Sequence, residues 1–227
     1  PNKLRSDLVF LLCCMGKDVP ADMVPYIESL VRSHDISDKS LGVVLGDLST
    51  PWQRRILALA LSRVDGVSLR AFAHAIWRHE SFVRVFSHSD LEVVLNSLAE
   101  TIEKDSEKLI QGWEPGKREW NVRNMTRYLE LLLGLLRTRE SEDDEIRMVL
   151  QPGQEFTARF AKQINLLIKD AIENKDDYFS RVQFDVSLKP SDDLTPNLLY
   201  VLRAYLEGDI AANAIRVTGI VEEEKEE

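Results

Sequence analysis

The stretch KREWNVRNMTRYLELLLGLLRTR, Lys117 to Arg139, decides the fold. Met125, Tyr128, Leu129, Leu132 and Leu136 recur at three- and four-residue steps, the pattern of one helix face. Leu131, Leu133 and Leu135 widen that stripe until the second half is apolar nearly all round. Such a helix is buried by neighbours on several sides, so it is expected to be the central core helix. No residue set within it performs chemistry.

Toward the N-terminus the same periodicity continues. Residues 3–15 carry Leu4, Leu8, Leu11, Leu12 and Met15 on one face, and Gly16 stops the helix. Pro20 is expected in the first turn of a second helix reaching His34, with Met23, Tyr26, Ile27, Leu30 and Val31 inward. A short helix follows at Asp38–Leu48, where Gly42 and Gly46 oppose helix formation. Thr50-Pro51-Trp52-Gln53 is a capping box with proline at the first helical position, opening a helix that ends at Asp65-Gly66. The next helix spans Val67 to Glu80. Ser89-Asp90-Leu91-Glu92 reads as a second capping box, before a helix with Leu91, Leu95, Leu98 and Ile102 on one side.

Toward the C-terminus, Gly112-Trp113-Glu114-Pro115-Gly116 is a loop by composition. Ser141-Glu142-Asp143-Asp144 begins a short helix that Pro152-Gly153 breaks. Gln154 to Asn174 is a clear helix, with Phe156, Phe160, Ile164, Leu167, Ile168 and Ala171 in register. Then the period changes to two. Val182, Phe184, Val186 and Leu188 alternate within Arg181–Leu188, the pattern of a half-buried strand. Thr195-Pro196 starts another helix, which Gly208 ends, and Asn213–Val221 is the expected partner strand.

The expected fold is therefore mostly all-α: an irregular helical bundle or a helix-pair (HEAT-like) solenoid with a small C-terminal strand–helix–strand extension. Residues 1–175 form the helical domain, 176–221 a small α+β extension packed on it, and 222–227, five Glu and one Lys, a disordered acidic tail. No repeated motif appears at helix-pair periods.

The 227 residues carry a net charge of −9, unevenly spread. Residues 1–139 hold 19 basic and 18 acidic side chains, and residues 140–227 hold 10 and 20. Between residues 50 and 89 six arginines face only Asp65 and Glu80. The overall acidity argues against wholesale coating of nucleic acid but leaves room for a local anion site. The two cysteines, Cys13 and Cys14, are adjacent in an apolar run, which suits buried, inert thiols in a reduced, cytoplasmic setting. That early run, Leu8–Met15, is far short of the ~20 residues a membrane span needs. The chain begins at Pro1 without an initiator Met, so the lack of a signal peptide carries little weight.

Catalytic constellations are hard to find. His79-Glu80 begins like a zinc-protease HExxH, but Val83 stands where the second histidine belongs. His74, His79 and His88 are spaced for different directions, so no metal is expected. The pairs Asp143-Asp144, Asp176-Asp177 and Asp192-Asp193 read as solvated or capping acids. Gly16-Lys17 lacks the rest of a phosphate loop, and no cofactor is expected. The least bland feature is basic: Arg70, His74, Trp77 and Arg78 fall on neighbouring turns of one helix, and Arg123 and Arg127 on another. Arginine beside an aromatic ring suits an acidic protein, a phosphate or a base. The expected function is a non-enzymatic helical interaction module, a scaffold or adaptor with a protein partner. A nucleic-acid-associated accessory factor using the same patch is the first alternative. An enzyme with a site assembled from distant residues is the second.

Overall fold

Helix starts in the N-terminal half are set by nameable side chains. In the computed structural model, Ser37 Oγ accepts from the Ser40 amide and begins α3, Asp38–Leu45. Thr50 and Gln53 cap each other at the start of α4, Pro51–Ser62, as the spacing requires. Asp65 Oδ1 accepts from the amides of Val67 and Ser68 and opens α5, Gly66–Arg78. Asp65 is thus the beginning of the next helix as well as the end of the linker before it. Two starts differ from expectation. Pro25, not Pro20, lies in the first turn of α2, Val24–Arg32. The capping box of α6, His88–Ile110, is Ser87 with Asp90: Ser87 N–H donates to Asp90 Oδ2 at 2.9 Å and the Asp90 amide to Ser87 Oγ at 3.2 Å. Ser87 lies two residues before the expected cap: Ser89 also has a carboxylate three residues on, in Glu92, but the helix already begins at His88, so Ser89 falls inside it.

The structure describes residues 2–110, 118–137, 155–174, 182–185, 198–207 and 216–220. Among them the chain is mostly helical. The remaining helices are α1 (Asn2–Met15), α7 (Arg118–Arg137), α8 (Glu155–Asn174) and α9 (Leu198–Glu207), with 3-10 turns at Gly16–Asp18 and Glu80–Val85. Strands β1 (Val182–Asp185) and β2 (Arg216–Ile220) pair antiparallel, Val182 opposite Ile220 and Asp185 opposite Arg216, with an irregularity between Gln183 and Phe184. The expected loop at Gly112–Gly116, the short helix from Ser141, the break at Pro152-Gly153, the helix start at Thr195-Pro196, the three aspartate pairs and the tail Glu222–Glu227 all lie outside the described residues.

The chain divides into two compact units, Pro1–Leu98 and Ala99–Glu227. In the first, α3 packs between α1 and α5, and α2 packs against α4. Ile27, Leu30, Leu41, Leu45, Ile56 and Leu69 are almost wholly buried. Phe72, Phe82 and Phe86 meet edge to face, with centroids 5.4 Å and 5.2 Å apart for the two pairs that share Phe86. Burying such side chains stabilises by roughly 1.5–3 kcal/mol each. The glycine inside α3, Gly42, has a packing reason. A methyl group on Gly42 would lie 2.6 Å from His74 Cβ and 3.0 Å from the Ala71 carbonyl, so only glycine lets α3 approach α5 this closely. Gly42 costs helix propensity but permits the crossing that anchors the unit.

In the second unit, α9 packs on α8 and α7. The helix read first in the sequence is buried as expected: Val122, Met125, Leu129, Leu131, Leu132, Leu133 and Leu135 are at most 1 % exposed. On α8, Ile164, Leu167 and Ala171 face inward. Arg118 donates to Asp170 Oδ2 at 2.6 Å and so ties the start of α7 to α8, while Arg159 donates to Glu103 at 2.9 Å.

Candidate binding surfaces

The six residues singled out by the charge pattern fall on two helices, four on α5 in the first unit and two on α7 in the second. On α5 two of the four, Arg70 and His74, lie at the crossing with α3. Arg70 Nε donates to Asp38 Oδ2 at 2.8 Å, and only 15 % of its side chain is exposed. His74 is half-buried where Gly42 makes its close approach. Trp77 is half-buried too, and its indole Nε1–H is buried without a hydrogen-bond acceptor. Arg78 is exposed at the helix end, next to the exposed His79.

The α7 pair has different surroundings. Arg127 donates to Glu130 Oε2 at 2.8 Å, and the Glu130 carboxylate is buried. A buried carboxylate needs such a partner, so Arg127 is partly committed to the core. Arg123 is exposed. Between them and the helix start stands Trp120, with 59 % of its surface in solvent. Trp120, Arg123 and Arg127 recur at three- and four-residue steps and share one face, opposite Val122, Met125 and Leu129. Sequence reading passed over Trp120. The signal was present: it lies in the polar first half of the helix, out of step with the leucine stripe.

A second outward apolar face lies on α1. Leu8, Leu11 and Met15 are exposed at three- and four-residue steps, while Val9, Leu12 and Cys13 point inward. The two thiols therefore part company. Cys13 is buried, and desolvation, with Cys14 beside it, pushes its pKa from an ordinary 9.0 up to about 12. Cys14 is exposed, against the expectation that both would be buried. One residue along a helix is a rotation of about 100°. The apolar run is long enough to cover both faces, which hides the difference in sequence.

Among the described residues no three His, Cys, Asp or Glu side chains gather as metal ligands. None of the described helices is long and apolar enough to cross a membrane. One cavity of about 140 Å³ opens in the first unit beside His34 and Arg63. No protein-family model, curated protein or solved structure matches the chain.

Proposed function

We propose that this chain is a non-enzymatic helical module that binds a protein partner through the outward face of α7, with Trp120 as anchor, Arg123 beside it and Arg127 at the border. The observation that carries the reading is the solvent exposure of Trp120 next to an exposed arginine. Tryptophan and arginine dominate the energetic centres of protein interfaces. A large aromatic ring left in water gains most when a partner covers it. The apolar outward face of α1 supports the same reading, since contiguous exposed apolar residues mark contact surfaces. In this reading Arg70, His74 and Trp77 are structural, and Arg78 is the one α5 residue with a free approach for a partner.

The finer architecture belongs to the same proposal. Packing of α1 on α3, α3 on α5, α2 on α4 and α3 on α4 supports reading the first unit as stacked helix pairs rather than an irregular bundle. The ladder β1–β2 with α9 between its strands in sequence would form the C-terminal extension.

Affinity capture from the source cell tests the function. The double variant Trp120→Ala/Arg123→Ala is expected to lose the captured partner while its helical circular-dichroism signal is unchanged. Undiminished capture would remove α7 from the account. The Trp–Arg pairing also favours a second reading, stacking on single-stranded nucleic acid. That reading requires quenching of tryptophan fluorescence by an oligonucleotide and steep weakening with salt.

A further inference from the structure

The cavity beside His34 joins buried core side chains to exposed basic ones. Helix α2 ends in a Schellman arrangement: the His34 amide donates to the Val31 carbonyl at 3.2 Å and the Asp35 amide to the Leu30 carbonyl at 2.9 Å. That motif places His34 at φ 58°, where glycine is the usual occupant and a side chain is strained by about 1 kcal/mol or more. The imidazole is held there. His34 Nδ1 lies 2.7 Å from Asp65 Oδ2, and the other Asp65 oxygen caps α5. The ring thereby forms part of the cavity wall.

The rest of the lining falls into two chemistries. Val31, Ile36, Leu41, Leu59 and Val67 supply an apolar floor. Arg32, Ser62 and Arg63, all exposed, border it. Arg32 reaches Glu28 at 3.4 Å, and Glu28 is shared with Arg55 at 2.9 Å. Arg63 has no carboxylate partner among the described residues. A cavity of about 140 Å³ compares with the roughly 150 Å³ that accommodates benzene.

We infer that this cavity binds a small branched aliphatic carboxylate, its hydrocarbon on the apolar floor and its anion against Arg63 and Arg32, with the His34 ring as a wall. Guanidinium and carboxylate match in a two-point fork, which neutral ligands cannot reproduce. The carboxylate could belong to a free acid or to the last residue of a peptide ending in leucine.

Calorimetric and NMR titrations of the full chain with isocaproate, isocaproamide and an acetyl-capped peptide ending in leucine test this. Isocaproate should saturate in the millimolar range expected for so few atoms. The neutral amide should bind about ten-fold more weakly, and Arg63→Gln should reduce isocaproate binding by a similar factor. His34→Gly relieves the left-handed strain, so it should keep the melting temperature while weakening the ligand. If the peptide binds more tightly than isocaproate, the source is a protein C-terminus; if more weakly, it is a free acid. Absence of saturable binding by either carboxylate, equal binding of acid and amide, or indifference to Arg63→Gln would overturn the assignment.

Discussion

Helices α5 and α7 carry the same kind of residue set in different surroundings. On α5, Arg70, His74 and Trp77 lie against α3 or half-buried, and Arg70 is bound to Asp38. On α7, Trp120 and Arg123 are exposed, and Arg127 is drawn toward the core by Glu130. The difference comes from the neighbouring helix. Gly42 has no side chain, so α3 comes close enough to enclose the α5 face. An Arg/Trp face is therefore enclosed or left in solvent according to how closely its neighbouring helix approaches, which on α5 rests on a glycine some thirty residues away in sequence.

The sharpest way to break the comparison is to push α3 off α5. Gly42→Val places a branched side chain where even one methyl group has no room, and should cost about 3 kcal/mol in urea unfolding. A cost under about 0.5 kcal/mol would mean that the crossing is not tight. Next in size is the α7 surface. Trp120→Ala should weaken partner binding by about 2 kcal/mol, roughly 30-fold, in a direct binding assay. Its stability should change by less than about 0.5 kcal/mol, because the ring is mostly in water. The Arg70–Asp38 pair comes third. Arg70→Gln should lower stability by about 1 kcal/mol, and Asp38→Asn should remove most of the same interaction in a double-mutant cycle. Additive single effects would show that the pair is not coupled.

The smallest effect concerns Cys13 and Cys14, a second case of similar residues in unlike surroundings. An alkylating reagent should label Cys14 in the native protein and Cys13 only on unfolding. The pH dependence has a definite sign. Native Cys13 keeps its proton up to about 12 while the unfolded thiol releases it near 9.0, so its contribution to stability is full below pH 9 and declines from there toward 12. Cys13→Ala should remove that decline, and Cys14→Ala should leave it in place.

Local rules made much of this fold readable. The Leu-rich run of α7 has one plausible environment, and the Thr50–Gln53 box fixes its helix start by side-chain reach alone. Two helix starts are misplaced by sequence reading, at Pro20 and Ser89, because Pro25 and the Ser87–Asp90 pair lie within a few residues and satisfy the same local rules. Gly42 and Gly46 counted against a helix by propensity, and the compensating contact with α5 is invisible until both helices are placed. Of the proposed surface, the shared face of Arg123 and Arg127 follows from their spacing, while Trp120 needed the helix phase to be weighed against the leucine stripe. The cavity at His34 was not legible at all. Its lining comes from α2, α3, α4 and α5, and its distinguishing feature is a backbone angle at a residue that carries no motif.

In the proposed reading α7 presents the partner surface, whereas α5 is a packed joint. Photo-crosslinking compares them directly, with a benzophenone side chain at Asn124, beside Trp120 on α7, or at Trp77 on α5. A covalent adduct to a partner is expected from position 124, and only links within the chain from position 77. A partner adduct from position 77 with none from position 124 would contradict it.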